Sequence, residues 1–335
     1  MINGEMMEKL VSILTPCYNG DQFIKRYAES LLNQTYHNCQ LIFMDDGSTD
    51  RTKELILQYK RKFAEKGIVL EYHYHENIGV GATIAKGIRF IKGEYFFCLD
   101  SDDVLPPNSI KAKVDFLENN KQYGLVRTNF IVAQDEPENV LIENGTARYN
   151  EREKENLFED YLVARNMWLQ PGCYMIRTSA YDDANPDRYI YPTRTGQNWQ
   201  IILPILYSYK CGYMNERLFI YIRRSNSLSK RALNQFDLEK KQINNYIDLI
   251  KNTIVHMNIS ENEKIYYCNK VENSFIQRQV SLGFRYNNKE WALENWEKLP
   301  KEYRNFKLWV KKTFAGSKLM CRWILWLQKI ILQVK

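Results

Sequence analysis

Four short apolar runs separated by stretches of helical spacing fill the first hundred residues, and three of them stop abruptly in polar clusters. Val11 to Leu14 ends at Thr15-Pro16-Cys17-Tyr18-Asn19, Leu41 to Met44 at Asp45-Asp46-Gly47-Ser48, and Tyr95 to Leu99 at Asp100-Ser101-Asp102-Asp103; Ile68 to Tyr74 is the fourth run. Between them Phe23, Ile24, Tyr27, Ala28, Leu31 and Leu32 recur at helical spacing, as do Leu55, Ile56, Tyr59 and Phe63. A glycine-bearing loop, Asn77-Ile78-Gly79-Val80-Gly81, precedes a short helix through Ile84, Ile88 and Ile91. Strands alternating with helices predict an α/β fold: a mixed, mostly parallel sheet with helices on both faces. Such sheets bind ligands at the carboxyl ends of their strands, so the three clusters should collect on one chemical edge.

Beyond Asn108 the spacing predicts a helix through Ile110, Val114 and Leu117, a strand near Leu125 to Val132, and a polar surface loop over Asp135 to Thr146. Glu151 to Val163 reads as helix, Cys173 to Arg177 as strand, Trp199 to Tyr209 as helix despite Pro204, and Arg217 to Arg223 as the last strand. The domain expectation is 1–230 for the α/β body, 231–303 for a helical appendage and 304–335 for a basic amphipathic helix.

A chain of 335 residues can bury one large core plus a smaller appendage. Seven cysteines without a C-x-x-C pair suggest neither a disulfide framework nor a zinc site, and hence a reducing compartment. Met1 to Lys9 lacks the basic start and apolar run of a secretory signal, so a cytoplasmic location is expected. The net charge of +7 is local: residues 304–335 hold eight Lys/Arg and no acid, leaving 39 basic and 40 acidic residues elsewhere. A nucleic-acid-binding surface is therefore not expected.

Asp100 and Asp102 flank one residue at a strand end, a spacing that lets two carboxylates converge on a hard cation such as Mg²⁺ or Mn²⁺. The cation would neutralise a diphosphate leaving group. Asp45 to Asp50 contains a turn and a helix cap, for which Ser48 to Asp50 suffice; Asp46 at the strand edge can accept an imide N–H from uracil or a base amino group. His73 and His75 share a strand face but have no third ligand nearby to make a metal site.

In order and spacing, these clusters together with Glu76-Asn77-Ile78-Gly79 resemble the family 2 glycosyltransferases of GT-A fold. The likeness is strong from about residue 10 to 110 and weaker to about 230. It implies that Thr15, Pro16, Tyr18 and Asp46 line a nucleoside pocket, with Asn19, Asn77, Gly79 and Ser101 beside the donor, Asp100 near the ribose and Asp102 on the metal. It further implies inversion at the anomeric carbon, and a basic loop at Arg223-Arg224 against the donor diphosphate.

Two positions depart from the family pattern. After the N-x-G loop, where an Arg and an Asn are usual, stand Ile84 and Ala85, leaving Lys86 as the nearest cation. Where Glu-Asp usually precedes a helix and the Asp acts as general base, the chain reads Gly196-Gln197-Asn198-Trp199. An amide cannot take up the acceptor proton as a carboxylate does. Either Asp182, Asp183 or Asp187 serves as base, or the acceptor is itself anionic, or the protein is a non-catalytic binding relative. Gln197, Asn198 and Trp199 would then orient the acceptor.

Leu319 to Val334 is rich in Trp, Leu and Ile, but its 16 residues fall short of the roughly 20 that span a bilayer. Tryptophans beside Arg322 and Lys329 suit a helix lying in an anionic membrane interface. Packing on the body, or on a second copy in a homo-oligomer, is the competing reading. Together these expectations describe a metal-dependent enzyme peripheral to the inner face of the plasma membrane. It would move a single sugar from a nucleotide-sugar, a UDP-sugar, to a lipid-linked saccharide acceptor in surface polysaccharide synthesis. A doubly wound NAD enzyme is disfavoured, because no G-x-G-x-x-G follows the first strand.

Overall fold

The computed structural model describes residues 8–147, 151–168, 170–194, 196, 198–224 and 235–333. They form two compact units, Met1–Ser227 with His256–Asn258, and Leu228–Val255 with Ile259–Lys335.

The first unit is built on an eight-stranded sheet: β1 (Val11–Cys17), β2 (Cys39–Asp45), β3 (Ile68–Tyr74), β4 (Tyr95–Cys98), β5 (Tyr123–Gln134), β6 (Val140–Ile142), β7 (Tyr174–Arg177) and β8 (Lys210–Arg223). The order is β3-β2-β1-β4-β7-β5-β6, with β8 pairing β5. The pairings β1·β2, β1·β4 and β2·β3 are parallel, β7 is antiparallel to both β4 and β5, and β8 runs parallel to β5. The sheet is thus mixed. β1, β2 and β4 are buried along their whole length, as expected of strands covered on both faces, whereas β3 exposes alternate residues at its edge. The helix Asp21–Leu32 buries Phe23, Ile24, Tyr27, Ala28 and Leu31, its one apolar stripe, and leaves its charged residues outside.

Three local expectations change. Of Glu151 to Val163 only Phe158–Leu162 is helical. The fully buried Arg127 donates to the carbonyls of Arg152 (2.7 Å), Lys154 (3.3 Å) and Glu151 (3.4 Å), which spends acceptors a helix would need. The loop at Asp135 to Thr146 contains the exposed strand β6, and β8 begins at Lys210, seven residues before Arg217.

In the second unit, the helices Phe236–His256, Glu261–Arg285, Lys289–Lys298, Phe306–Phe314 and Lys318–Gln333 follow one another. The segment 304–335 shares its core: Ala315, Cys321 and Ile324 cluster with Phe284 and Ala292, and Leu308 with Val280, Trp296 and Leu299. The 230/231 boundary falls on residues outside those described.

Candidate active site

The carboxyl ends of β1, β2 and β4 meet at one edge, because β1 lies between the other two in parallel register, with Cys17 opposite Asp45 and Leu14 opposite Cys98. Just past β4 the chain turns tightly, the Asp103 amide donating to the Asp100 carbonyl at 3.1 Å. Carboxylate oxygens of Asp100, Asp102 and Asp103 lie within 4.8 Å of one another.

The three acids are not equivalent. Asp103 is buried and its Oδ1 accepts the Ile222 amide of β8 at 2.8 Å, while Val104 and Ile220 exchange backbone hydrogen bonds beside it. Burial, then the neighbouring charges of Asp102 and Asp100, hold its carboxyl well above the usual carboxylate range, so its role is to clamp the turn onto β8. Asp100 and Asp102 keep part of their surface open. Arg26 donates to the Asp102 carbonyl (2.9 Å) and to the Asp135 carbonyl (2.7 Å), tying the turn to the end of β5. Arg224 Nε stands 2.7 Å from Asp102 Oδ2, yet this buried N–H has no aligned hydrogen-bond acceptor.

An oxygen-only donor set around Asp100 and Asp102 suits a hard cation. These residues fit Mg²⁺ or Mn²⁺.

On the nucleoside side, Asp46 is nearly fully buried; Oδ1 accepts the Ile78 amide (2.7 Å) and Oδ2 the Gly79 amide (2.9 Å). Asn77 Nδ2 donates to the Asp46 carbonyl at 3.0 Å, so Asp46 and the N-x-G loop form one rigid piece. Gly79 is required there: φ is +91°, and a Cβ would come within 2.6 Å of Arg194 Cα. His75 Nδ1 lies 3.5 Å from Asp46 Oδ1. Asp45 is a turn residue, accepting the Ser48 amide and the Tyr72 hydroxyl. Asp50 accepts amides of both Thr52 and Asp21, which joins two helix starts.

Thr15 and Pro16 lie inside β1, and the Thr15 hydroxyl is bonded to Tyr27 in the core. Tyr18 is exposed at the edge, and Asn19, at φ +49°, accepts the Thr49 amide on its Oδ1 and donates its own amide to Ser48 Oγ. Ser101 is buried and hydrogen-bonds the Cys17 thiol, which burial pushes up to about 12, leaving it unreactive. Arg223 gives its carbonyl to the Asp135 amide at 3.2 Å.

Several candidates fall elsewhere. Lys86 is exposed in the last turn of the helix Val80–Gly87, about 10 Å along the axis from Gly79. Trp199 is buried and donates its indole N–H to the Tyr161 carbonyl at 2.8 Å, a core residue with no face for an acceptor. Gln197 lies outside the described residues, as does the side chain of Asn198. The helix Thr178–Ala184, bearing Asp182 and Asp183, starts where Arg177 faces Tyr95, the first residue of β4, and so belongs to the edge opposite the acidic turn. Asp182 is spent on a bidentate pair with Arg188 (2.7 and 2.9 Å), and Asp183 accepts the Tyr209 hydroxyl at 2.9 Å. Asp187 follows in the same stretch.

The chain returns to the chemical edge at Thr193, whose carbonyl accepts the Ala82 amide at 2.9 Å. Arg194 Nη2 donates to Asn77 Oδ1 at 2.6 Å, bringing an exposed cation to the N-x-G loop. Neither Arg26 nor Arg194 is legible in the sequence, because each meets its partner across 76 and 117 residues without a local motif.

An acidic strand-end turn facing a nucleoside-side loop on a mixed sheet defines the nucleotide-diphospho-sugar-binding fold of the GT-A glycosyltransferases. Solved structures share it: Staphylococcus aureus TarS 1-349 in complex with UDP-GlcNAc is 16% identical with a TM-score of 0.60, over 91% of this chain and 89% of that one. The mannosyltransferase PcManGT from Pyrobaculum calidifontis, in complex with GDP-Man and Mn²⁺, is 12% identical with a TM-score of 0.55, over 97% and 81%. Residues 12–183 match the family described as Glycosyl transferase family 2, and the chain belongs to that family.

Among curated proteins, an uncharacterized glycosyltransferase of Rickettsia typhi is 40% identical over 108 residues, 32% of this chain and 32% of that protein. The chain thus matches about a third of that relative's length. The processive diacylglycerol beta-glycosyltransferase of Mycoplasma pneumoniae is 26% identical over 300 residues, 87% of this chain and 85% of that protein.

Proposed function

We propose that the protein transfers a single sugar from a UDP-sugar to a lipid-linked saccharide acceptor, with inversion and with a divalent cation. The observation that carries this reading is the convergence of Asp100 and Asp102 on the same sheet edge as Asp46 and the Asn77–Gly79 loop. Mg²⁺ or Mn²⁺, held by Asp100 and Asp102, would supply charge neutralisation of the leaving diphosphate. Asp103 and Arg26 hold the acidic turn in place, Tyr18 offers an exposed ring for the base, and Asp46 fixes the loop that borders it. Ser101 and Asn19 set the backbone between the two halves, while Arg223 and Arg224 add positive charge on the diphosphate side.

The lipid-linked acceptor and membrane association are favoured by the second unit. Leu319, Trp323 and Trp326 recur at i, i+4 and i+7 and are exposed, Trp323 by 53% and Trp326 by 56%, while Cys321 and Ile324 face the core. Phe306 and Trp309 stack on each other, also exposed, 5.8 Å between centroids. Aromatic residues among Lys307, Lys312, Lys318 and Arg322 suit an anionic interface. No helix among the described residues is long and apolar enough to cross a membrane. The similarity to a diacylglycerol glycosyltransferase, over most of both chains, favours an acceptor presented at a lipid surface.

Asn198 at the usual base position sustains a second reading, a nucleotide-sugar-binding relative without catalysis. Release of free nucleotide from a panel of sugar nucleotides, with Mn²⁺ and with lipid extract as acceptor, separates the two. Turnover of one donor that EDTA stops supports the enzyme. UDP binding without turnover of any donor supports the relative.

A further inference from the structure

Arg224 sits where a cation would have to work. Its Nε is 2.7 Å from Asp102 Oδ2, and its guanidinium lies 4.9 Å from the centroid of Phe23, the ring that also carries Arg26 at 4.8 Å. Arg26 is committed: it holds the carbonyls of Asp102 and Asp135 and pairs with Glu136. The Nε of both arginines is buried without an aligned acceptor, but Arg26 has backbone acceptors for its Nη atoms, whereas among the described residues Arg224 is held by its charge on Asp102 and its contact with the Phe23 ring. Asp102, for its part, keeps part of its surface exposed, whereas Asp103 is buried and bound to β8.

A divalent cation on Asp102 and the Arg224 guanidinium on the same carboxylate oxygen exclude each other by charge and by space. The nucleotide diphosphate supplies an alternative partner with several oxygens, for which a guanidinium fork is well matched. We propose that Arg224 is an internal counterion that occupies Asp102 in the free protein and passes to the diphosphate when metal and nucleotide arrive together. Cation and nucleotide then bind as a cooperative pair, and the free protein holds the cation weakly. The inference rests on the metal-dependent donor reading above.

Mn²⁺ titration followed by the loss of the free-ion EPR signal, without nucleotide and then with UDP, tests it on the full-length protein. Removing the competitor by Arg224→Gln should tighten Mn²⁺ binding in the absence of UDP by about 5-fold or more, and shrink the tightening that UDP produces. Arg223→Gln removes the same charge one residue away and should move Mn²⁺ affinity less than about 2-fold; Arg224→Lys, which keeps the charge but loses the fork, should fall between wild type and Arg224→Gln. Equal gains in the two Gln variants would mean bulk electrostatics and overturn the proposal, as would an Arg224→Gln affinity unchanged or lowered in a variant that keeps the wild-type circular dichroism. If Mn²⁺ binds to no form, with or without UDP, the metal-dependent reading falls and the counterion role with it.

Discussion

The pH dependence of stability between pH 7.0 and 8.5 should trace in part to one lysine. Lys113, on the helix Ser109–Asn119, is fully buried; its Nζ donates to the neutral Gly172 carbonyl at 2.7 Å and lies 5.3 Å from the Phe97 ring centroid. Burial pushes its ammonium down from 10.5 to about 8, outweighing the opposing effect of Cys173. A drop of about 2.5 units corresponds to roughly 3 kcal/mol against the charged form. Because the folded pKa lies below the unfolded one, the unfolded chain binds more protons from about pH 8 to 10.5, and stability rises with pH through that window. Integrated from pH 7.0 to 8.5, the gain is about 0.8 kcal/mol, or about 1 to 2 °C in Tm. From about pH 8.5 upward the buried thiols of Cys17, Cys39 and Cys211, pushed up to about 12, act with the opposite sign, but equally in wild type and variant, so the lysine is read as the difference between the two proteins. Lys113→Met conserves the volume but leaves the Gly172 carbonyl unpaired, a loss of about 1 kcal/mol that does not depend on pH. The readout is therefore the difference in Tm between the two pH values, by differential scanning fluorimetry at constant ionic strength. The variant should lose the 1 to 2 °C increment; an increment equal to wild type would refute the reasoning.

Asp102→Asn should remove the Mn²⁺-dependent part of UDP affinity, at least about tenfold by calorimetry, because it takes away one of the two carboxylates that would hold the cation; undiminished affinity would take Asp102 off the metal. The double variant Trp323→Glu, Trp326→Glu should keep its Tm within about 1 °C, since both rings are exposed, and lose co-sedimentation with vesicles containing anionic lipid. Substitution is a cleaner probe than ending the chain near Tyr303, because that truncation also removes Leu308, Ala315, Cys321 and Ile324 from the core of the second unit.

What was legible in the sequence was whatever the chain repeats locally. The unbroken apolar runs of β1, β2 and β4 and the polar residues that end them encode both the buried parallel strands and the edge at which Asp100 and Asp102 stand. Contacts made at long range left no such trace. Arg127 reads as an interruption in an apolar strand, yet it lies 4.4 Å from the centroid of Trp168 and holds the carbonyls that keep 151–157 from being helical. Lys113 shares the stripe of Ile110, Val114 and Leu117, and spacing alone would send a lysine to solvent. Asp46 illustrates the intermediate case: its position at the strand edge was readable, but its two amide partners lie more than 30 residues away, so its part in bracing the N-x-G loop was not.

The proton acceptor is the point at which topology goes beyond spacing. By sequence, Asp182, Asp183 and Asp187 are the carboxylates nearest to Asn198. The antiparallel insertion of β7 beside β4 sends the chain away from the acidic turn, so the Thr178 amide binds the Glu94 carbonyl and Arg188 carries Asp182 toward the carbonyls of Ile88 and Ile91. By the time the chain comes back at Thr193 to Gly196 those acids have been left behind. Those three acids do not reach this edge, so among the readings that Asn198 leaves open we propose the anionic acceptor, one with a phosphate or carboxylate beside the accepting hydroxyl. Lipid acceptors with such a group should turn over, and a neutral lipid glycoside of equal chain length should not. Equal rates for the two would place the base on the protein and refute this step.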